Sequence, residues 1–403
     1  MTKSRAIASA VVVMALISAG CNSRLLRPPV TIYADGGGRQ VTATVADRDH
    51  RYNSALLSFF PSRVPLHPGD AVNFEVRDSG EPHTVALGKL VDRAITALGT
   101  LGLTEGIKTI EGLPQMQRLP SVFPNTIEGQ SPRVNASAAD RCFVDRGAPA
   151  VSTTGGARAC EDRAQTEFDG TQEFYSSGFL AEGEPFRVKL SADTRPGQYS
   201  FMCLVHRSSM IGAIEVRPTD VERPPVADVR QQATDEENEV AGTLEQPARR
   251  AASRDGDGIL AGTGPVGRQR GLISSFIPEE ATVRRGEPVT WELYGTHSIS
   301  FDPSRDAQLG ILIEDGDGVR INPDAWDPVE SSPPPAAALS FPPTQSLVEI
   351  DGGTYSGQGA FSSGILRATA PAVVKYTLTF EEAGTYRYRC LVHPRMRGRV
   401  VVE

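Results

Sequence analysis

Apolar and polar residues alternate along several short segments of the chain, which is the pattern of strands with one buried face. Two such segments, residues 30–33 and 41–45, lie near the start. Two longer runs begin at a Gly-Asp or Gly-Glu turn and end at His83 and at His297. The pattern therefore predicts a strand-rich region in each half of the chain.

A helical period follows the first of these histidines. Spacing at three and four residues places one set of apolar side chains on a single helical face: Leu87, Leu90, Val91, Ala94, Ile95 and Leu98. We expect an amphipathic helix packed on the strands, at the start of a long insertion over residues 89–173. The rest of that insertion is predicted to be a decorated loop.

Residues 218–253 contain almost no large apolar side chains and are rich in Pro, Gln, Ala and acidic residues. Such a composition is typical of a linker, here with part of its length helical. It divides the chain into a first half, residues 29–217, and a second half, residues 258–403, joined by an acidic linker over residues 218–257. The length of 403 residues also fits two domains better than one core.

The N-terminus has the pattern of a signal peptide over residues 1–21. Lys3 and Arg5 precede a largely apolar run at residues 6–19, which is too short for an ordinary membrane span. Cys21 follows small residues, as in the lipobox of bacterial lipoproteins, although Ser18 stands where Leu is usual. We expect an exported protein held by lipid on the outer face of the bacterial cell membrane. The alternative is a periplasmic or secreted protein with Cys21 lost or free.

Two short segments near the ends of the two halves each combine one cysteine, one histidine and one methionine. A thiolate, two imidazoles and a weak axial thioether form the ligand set of electron-transfer copper, so each segment needs one more histidine. The histidines that close the two long alternating runs supply it. The predicted ligands are His83, Cys203, His206 and Met210 in the first half and His297, Cys390, His393 and Met396 in the second.

With these motifs both halves resemble cupredoxins, the plastocyanin and azurin family of blue copper proteins. The resemblance implies an all-β fold of two tandem Greek-key sandwiches, each with a type 1 copper and with last strands at residues 213–216 and 399–402. It also implies that Thr84 and Ser298 tie the ligand loops together and that His206 and His393 lie near the surface as electron ports. The first half has one extra residue before its methionine, which leaves a copper-free first half as an alternative.

Further matches between the halves support an internal repeat. Ser-Phe-Phe-Pro at residues 58–61 corresponds to Ser-Phe-Ile-Pro at residues 275–278. Residues 174–180 likewise correspond to 360–366, and residues 196–199 to 383–386. The order of these features is the same in both halves, as expected for two copies of one domain.

The role of the two remaining cysteines follows from these assignments. Lipid at Cys21 and copper at Cys203 and Cys390 leave Cys142 and Cys160 as a pair within the first insertion. An exported protein can oxidise such a pair to a disulfide. We therefore expect a disulfide that staples the insertion loop.

The predicted function is single-electron transfer outside the cytoplasm, without substrate turnover. Copper oxidases and nitrite reductases need further histidines for a second type of centre, and four of the six here are already assigned. Copper delivery and a metal-free scaffold remain as alternatives. Arg207, Arg395 and Arg397 flank the ligand histidines of a chain with net charge −8, which favours a redox partner with an acidic or apolar docking face. No nucleic acid is expected as a partner, and membrane contact is expected through the lipid alone.

Overall fold

The computed structural model describes most of the chain from residue 38 onwards. The predicted signal peptide with Cys21, and the segment at residues 30–33, lie outside the described residues. From residue 38 onwards the described residues belong to one compact unit. The described residues are 38–403 without 50, 78–79, 100–111, 123–133, 149–150, 152, 154–159, 161–163, 181, 184, 255–257, 266–269, 316–317, 331–346 and 369–372.

Strands of the first half form two facing sheets. One contains strands in the order β2-β1-β4-β8, and the other has the order β3-β10-β9-β5-β7-β6. The strands are β1 (Gln40–Asp49), β2 (Ser54–Phe60), β3 (Arg63–Leu66), β4 (Ala71–Val76), β5 (Ala86–Leu87), β6 (Cys142–Val144), β7 (Phe174–Ser176), β8 (Phe186–Lys189), β9 (Gly197–Met202) and β10 (Ile211–Val216).

The second half repeats this plan. Its main sheets have the orders β12-β11-β14-β22-β19 and β13-β24-β23-β16-β20, beside the short pairs β15-β21 and β17-β18. The strands are β11 (Gly258–Thr263), β12 (Gly271–Ile277), β13 (Glu280–Val283), β14 (Pro288–Leu293), β15 (Gly295–His297), β16 (Ser300–Phe301), β17 (Leu312–Asp315), β18 (Gly318–Ile321), β19 (Leu347–Tyr355), β20 (Phe361–Ser362), β21 (Leu366–Ala368), β22 (Val373–Phe380), β23 (Gly384–Arg389) and β24 (Arg397–Val402).

Alternation along the strands accounts for the layers. In β22 every second side chain is buried, and the buried set faces the opposite sheet. Edge-to-face aromatic contacts fill the space between the sheets, such as Phe59 against Phe201 in the first half and Trp291 against Tyr388 in the second. Strands far outnumber helices among the described residues, so the all-β prediction is confirmed.

The two halves share one continuous sheet, because β2 pairs with β12. These strands carry the two copies of the Ser-Phe repeat and run antiparallel. Leu56 pairs with Gly271, and Ser54 pairs with Ile273. In the repeat Ser54 corresponds to Gly271 and Leu56 to Ile273, so the pairing exchanges equivalent residues. This self-complementary register is that of an approximate two-fold axis between the halves.

The segment expected to be an acidic linker contains two helices, α4 (Val226–Gly242) and α5 (Glu245–Ala252). Val240, Ala241 and Leu244 pack against apolar side chains of β2 and β12. Glu236 also accepts a hydrogen bond from the backbone N–H of Ser62, at 2.6 Å. The few apolar residues of this segment are thus spaced to cover the shared sheet. It is a packed helical connection and not a free tether.

The amphipathic helix expected after the first histidine is α1 (Lys89–Gly99). Four of the six predicted apolar residues are buried on one of its faces, while Leu87 belongs to β5 and Ile95 is half-buried. Asp92 accepts a hydrogen bond from the N–H of Ser200 at 2.8 Å, which attaches the helix to β9. In the described part of the chain no helix is long and apolar enough to cross a membrane.

Insertions of the two halves pack on each other. The N–H of Val134 donates to the carbonyl of Val319 at 3.2 Å, and residues from both insertions share one apolar cluster. Cys142 and Cys160 form a disulfide with Cα atoms 4.9 Å apart. The short helices of these segments are α2 (Pro114–Gln117), α3 (Ala136–Ala139) and α6 (Pro323–Trp326), and 3₁₀ turns lie at Arg207–Ser209 and Ala307–Leu309.

Candidate metal centres

The first candidate centre, called centre 1, consists of His83, Cys203 and His206. His83 follows β4 and is fixed by an antiparallel bridge in which Leu180 N–H donates to its carbonyl at 2.9 Å. Cys203 comes directly after β9, and His206 immediately precedes the 3₁₀ turn that leads to β10. A ligand atom of each residue lies within 4.8 Å of the others. The loop between the last two strands thus returns to the segment that carries the upstream histidine.

The second candidate centre, centre 2, consists of His297, Cys390 and His393, again with ligand atoms within 4.8 Å of one another. His297 ends β15, and Cys390 comes directly after β23. Cys390 Sγ lies 3.6 Å from Nδ1 of His393 and 3.9 Å from Nδ1 of His297. The two Nδ1 atoms are 3.1 Å apart. Three predicted ligands therefore converge in each half.

The two predicted axial methionines close the ligand loops. The N–H of Cys203 donates to the carbonyl of Met210 at 3.1 Å, and that of Cys390 donates to the carbonyl of Met396 at 3.0 Å. Both methionines are fully buried, each in the same apolar cluster as its cysteine. Each methionine thus lies at the end of the loop that begins with the ligand cysteine.

Hydroxyl groups join the upstream histidine segments to the cysteine loops. The N–H of Leu204 donates to Thr84 Oγ1 at 2.7 Å, and the N–H of Leu391 donates to Ser298 Oγ at 2.8 Å. The backbone N–H groups of Thr84 and Ser298 also point at the cysteine sulfurs, at 3.4 Å in both halves. The expectation that these two residues tie the ligand loops together is confirmed.

Electrostatics favour thiolates in both centres. Burial opposes ionisation of Cys203, but its interactions with His206 and His83 together outweigh burial and hold the pKa of the thiol well below its usual value. Burial likewise opposes ionisation of Cys390, and His297 and His393 lower its pKa well below the usual range. The thiolate is the form of cysteine that binds metals.

Free donor atoms in centre 1 fit a metal ion. Both ring nitrogens of His83 are buried without a hydrogen-bond partner, which is costly for an imidazole unless another group satisfies it. A soft thiolate with two imidazoles is a donor set that suits copper, with zinc as the competing choice. A buried methionine at the end of each loop adds the axial residue expected of type 1 copper. The residues present therefore fit the predicted copper.

Glu81 is a residue that the sequence analysis did not identify. Its Oε2 lies 2.6 Å from Nε2 of His206, and its Oε1 lies 2.7 Å from Nε2 of His393. The side chains of these histidines are only 11% and 7% exposed. The surface ports expected at these two rings therefore stay a prediction, and in the structure the Nε2 atom of each ring is covered by this carboxylate between the two halves.

The pKa values around this bridge are shifted in opposite directions. Burial would raise the pKa of Glu81, but its hydrogen bonds to His206 and His393 hold it well below the usual value. Burial would lower the pKa of His206, yet Cys203 and Glu81 raise it to about 10. Cys390 and Glu81 likewise raise the pKa of His393 to about 10 against burial. The bridge is thus a carboxylate between two imidazole donors at neutral pH.

The signal for Glu81 in the sequence was weak. It lies two residues before His83, where the second half has Gly295 before His297, so the repeat gives it no counterpart. Of the arginines that flank the ligand histidines, Arg395 and Arg397 are exposed. Arg207 is half-buried and donates to the carbonyl of Met116 at 3.3 Å.

Comparisons with known proteins give a short but specific match. No family model matches the chain. Amicyanin of Paracoccus denitrificans is 71% identical over 28 residues, which is 7% of this chain and 21% of that protein. Amicyanin of Paracoccus versutus is 61% identical over 28 residues, again 7% of this chain and 21% of that protein. The match thus spans about a fifth of these relatives' length.

Solved amicyanin structures are also similar to part of the chain. A reduced Cu(I) form of an amicyanin variant is 21% identical, covering 38% of this chain and 89% of that one, with a TM-score of 0.18. The structure of amicyanin from Paracoccus versutus gives a TM-score of 0.19 at 21% identity, covering 38% of this chain and 88% of that one. The chain is therefore similar to amicyanins, most clearly over one segment of 28 residues.

Proposed function

We propose that this chain is a type 1 copper protein that carries single electrons outside the cytoplasm, with one copper site in each half. The observation that carries the proposal is the repeated convergence of one cysteine sulfur and two histidine nitrogens within 4.8 Å. The short similarity to amicyanin, a protein whose structure has been solved in a reduced Cu(I) form, supports the same interpretation.

The protein groups suit this role because they are held before any metal arrives. Cys203 and Cys390 are buried at strand ends, and each sulfur accepts a hydrogen bond from a backbone N–H group. The sulfurs therefore have little freedom to move. When bound, copper would supply a centre that gains or loses one electron. The apolar surroundings and the buried methionines would exclude water from the site and tune its potential.

The proposal includes no substrate turnover. Four of the six histidines belong to centres 1 and 2. His67 lies 2.9 Å from the carbonyl of Val221, apart from both centres, and His50 is outside the described residues. The histidines that a further oxidase or nitrite reductase centre would need are therefore not available.

A redox partner would dock at the exposed arginines of the last ligand loop. Arg395 and Arg397 lie within four residues of His393 and face solvent. Charges at the rim of an interface act mainly on the association rate and are screened by salt. We expect Arg395→Gln with Arg397→Gln to slow electron exchange with an acidic redox protein at low ionic strength. Equal rates for the double variant and the original protein would argue against this docking face.

The decisive experiment is the visible spectrum and copper content of the oxidised protein without residues 1–21. We expect an intense thiolate-to-copper band with two coppers per chain. Cys203→Ala and Cys390→Ala should each remove one copper and about half of the band. His67→Ala is the matched control, since that histidine lies outside both centres, and it should keep both coppers.

Each outcome of this experiment decides between functions. Loss of the band in only one cysteine variant would make the other half structural. The absence of any band would exclude the electron carrier. A reversible reduction wave supports electron transfer, whereas rapid loss of copper on reduction would favour copper delivery.

Export and lipid anchoring are part of the proposal. The basic start, the apolar run and Gly20-Cys21 support them, and the disulfide of Cys142 with Cys160 suits an oxidising compartment. We expect the full chain to incorporate a labelled fatty acid in a bacterial host and to fractionate with membranes. Cys21→Ser should lose both properties, and a labelled Cys21→Ser variant would contradict the assignment.

A further inference from the structure

One carboxylate connects the two candidate centres. Glu81 comes from the first half, directly before the segment that supplies His83, yet one of its oxygens accepts a hydrogen bond from the second half. Its side chain is only 13% exposed, and each oxygen is occupied by a ligand imidazole at 2.6 or 2.7 Å. Distances this short are typical of charge-assisted hydrogen bonds.

The bridge fixes which nitrogen of each histidine faces the cysteine sulfur. An ionised carboxylate only accepts hydrogen bonds, so Nε2 of His206 and Nε2 of His393 must both carry protons. The opposite nitrogens then face the sulfurs, with Nδ1 of His206 3.5 Å from Cys203 Sγ and Nδ1 of His393 3.6 Å from Cys390 Sγ. Outer partners that orient a ligand histidine in this way are common around protein metals. Here one partner orients a ligand in each of two centres.

The repeat explains why one carboxylate is enough. Equivalent residues of β2 and β12 pair across the approximate two-fold axis, and the equivalent histidines His206 and His393 meet at the same carboxylate. At the position two residues before the upstream histidine, the first half has Glu81 and the second half has Gly295. A second carboxylate there would place like charges together in a buried space. The asymmetry is therefore what a single shared bridge requires.

Stability alone does not account for this arrangement. A buried ion pair contributes little more than well-packed apolar side chains of similar volume, because the desolvation of the charges offsets their attraction. The apolar contact of the segment containing α4 and α5 with the shared sheet already helps to hold the halves together. The carboxylate adds a continuous hydrogen-bonded connection between two ligand rings, which an apolar contact would not provide.

We propose that Glu81 is the positioning residue that couples the two centres, and that one electron passes between them along the connection His206–Glu81–His393. The inference rests on the proposed function, since it needs a copper in each half. In the transfer, the reduced centre is oxidised by one electron and the oxidised centre is reduced by one, with no proton or outside reductant consumed. The chain is then an internal relay, in which one half accepts an electron and the other passes it on.

The test follows electron redistribution after a pulse of reductant in protein loaded with copper at both sites. A Met210→Gln background changes the axial residue of centre 1, so that its absorption and potential differ from those of centre 2. We expect a first-order phase whose rate is independent of protein concentration. Glu81→Gln in this background should slow that phase by about tenfold or more, by analogy with the loss of activity that follows removal of an outer partner of a metal ligand. Glu182→Gln is the control, because this glutamate is in the same half and its side chain is exposed.

A second measurement distinguishes electron transfer through Glu81 from a change in the distance between the two metals. Dipolar broadening in the Cu(II) EPR spectrum reports the distance between the two metals. A slower phase with unchanged broadening supports the bridge, and an unchanged rate with unchanged broadening overturns it. If Glu81→Gln alters the broadening, the rate measured in Glu81→Asp decides whether the bridge carries the electron. This variant keeps the negative charge, but its side chain is too short to reach both rings. Altered broadening in both variants would show that Glu81 only sets the spacing, and would overturn the proposed connection.

A third readout needs no copper. In the metal-free protein the Nε2 protons of His206 and His393 should be observable by NMR as slowly exchanging signals, and both should change in Glu81→Gln. Signals that the variant leaves unaltered would contradict the bridge. Failure of the proposed function looks different, because it would remove the copper bands themselves, whereas failure of this inference leaves both bands and abolishes only the effect of Glu81.

Discussion

The two candidate centres have the same donor set and different supports. In centre 2, Nε2 of His297 donates to the carbonyl of Tyr294 at 2.8 Å, so this buried ring is already anchored. In centre 1, both nitrogens of His83 lack a partner. The ligand loop of the first half also has one more residue before its methionine, accommodated by a 3₁₀ turn with Arg207 at a positive φ of 44°. A duplicated site can thus keep its ligands while its surroundings diverge.

The β-bulge in the first strand of each half also shows how the surroundings of the two centres diverge. The pairing of β1 with β2 shifts at Ala46, and the pairing of β11 with β12 shifts at Gly262, both with positive φ. A side chain at position 262 would collide with the ring of His297 and lie 2.6 Å from the carbonyl of Tyr294. Glycine at this bulge makes room for the anchored ring of centre 2, while the first half tolerates alanine.

Among these substitutions, Gly262→Ala is expected to reduce the stability of the protein most. The new methyl group would press on His297 and would sit at φ +79°, so we expect about 4 kcal/mol of destabilisation from crowding and backbone strain together. Displacement of the ring should also remove the copper band of centre 2 and leave that of centre 1. Denaturant unfolding and the visible spectrum measure the two effects.

Gly286→Ala provides the control for this substitution. Gly286 has the same φ of +79° in the same half, and nothing lies within 4 Å of an added methyl group. It should cost only the backbone strain, about 1 kcal/mol, and leave both bands intact. Equal effects of the two substitutions would mean that the contact with His297 is unimportant.

The next largest loss of stability is expected for the carboxylate of Glu81, which bonds to a histidine of each half. Removing the charge of Glu81 in Glu81→Gln should destabilise the metal-free protein by about 2 kcal/mol near pH 5.5, since one charged hydrogen bond is lost and the amide oxygen keeps the other. The lowered pKa of Glu81 makes its contribution present above the ordinary value of 4.5 and lost on acidification. The pKa values of about 10 for His206 and His393 make theirs complete below 6.5 and lost as the pH rises towards 10.

The stability difference between the original protein and Glu81→Gln should therefore be largest between about pH 4.5 and 6.5. Denaturant unfolding of the metal-free chain at a series of pH values measures it. Glu182→Gln should show no such profile, because Glu182 is exposed. A difference that does not vary with pH would be inconsistent with an ionised bridge.

A smaller effect is expected from the hydroxyl groups that support each cysteine loop. Thr84→Val leaves the N–H of Leu204 without its acceptor, and Ser298→Ala does the same to Leu391. Each should cost about 1.5 kcal/mol for the unsatisfied buried donor. Each should also shift the copper band of its own half alone, which distinguishes the two centres spectroscopically.

Thr290→Val is the control for these variants. Its hydroxyl bonds to Thr377 at 2.9 Å between β14 and β22 and belongs to neither centre. It should reduce stability slightly and leave the spectrum unchanged. A change in both bands after either loop substitution would show that the two halves do not respond separately.

Much of this architecture was predictable from residue patterns. Alternation and the repeated ligand motifs indicated two strand-rich halves, and in each half the structure brings the cysteine and both histidines together. These features are local or follow from the order of strands in one sandwich. The helices α4 and α5 were less predictable, because their polar composition hides the three residues, Val240, Ala241 and Leu244, that pack on the shared sheet.

The relation between the halves was not predictable for a physical reason. The pairing of β2 with β12 uses backbone hydrogen bonds, which leave no particular side-chain signature. Glu81 meets His393 only because of that pairing, at a separation of 312 residues. A lone glutamate beside a proline gives no sign of such a contact. Residues that act across an axis between repeats are visible in sequence only where the repeat copies differ, as they do at Glu81 and Gly295.

The smallest effect is expected for Ala46→Gly, the reverse of the first substitution. Glycine would relieve the cost of alanine at φ 56° but would lose a fully buried methyl group and gain unfolded-state entropy. These contributions nearly cancel, so we expect a change within about 1 kcal/mol and an unchanged copper band for centre 1. Unfolding and the spectrum of this variant complete the comparison with Gly262→Ala. Loss of the first band would show that the bulge of the first half also supports its ligands, and that the two bulges differ less than their residues.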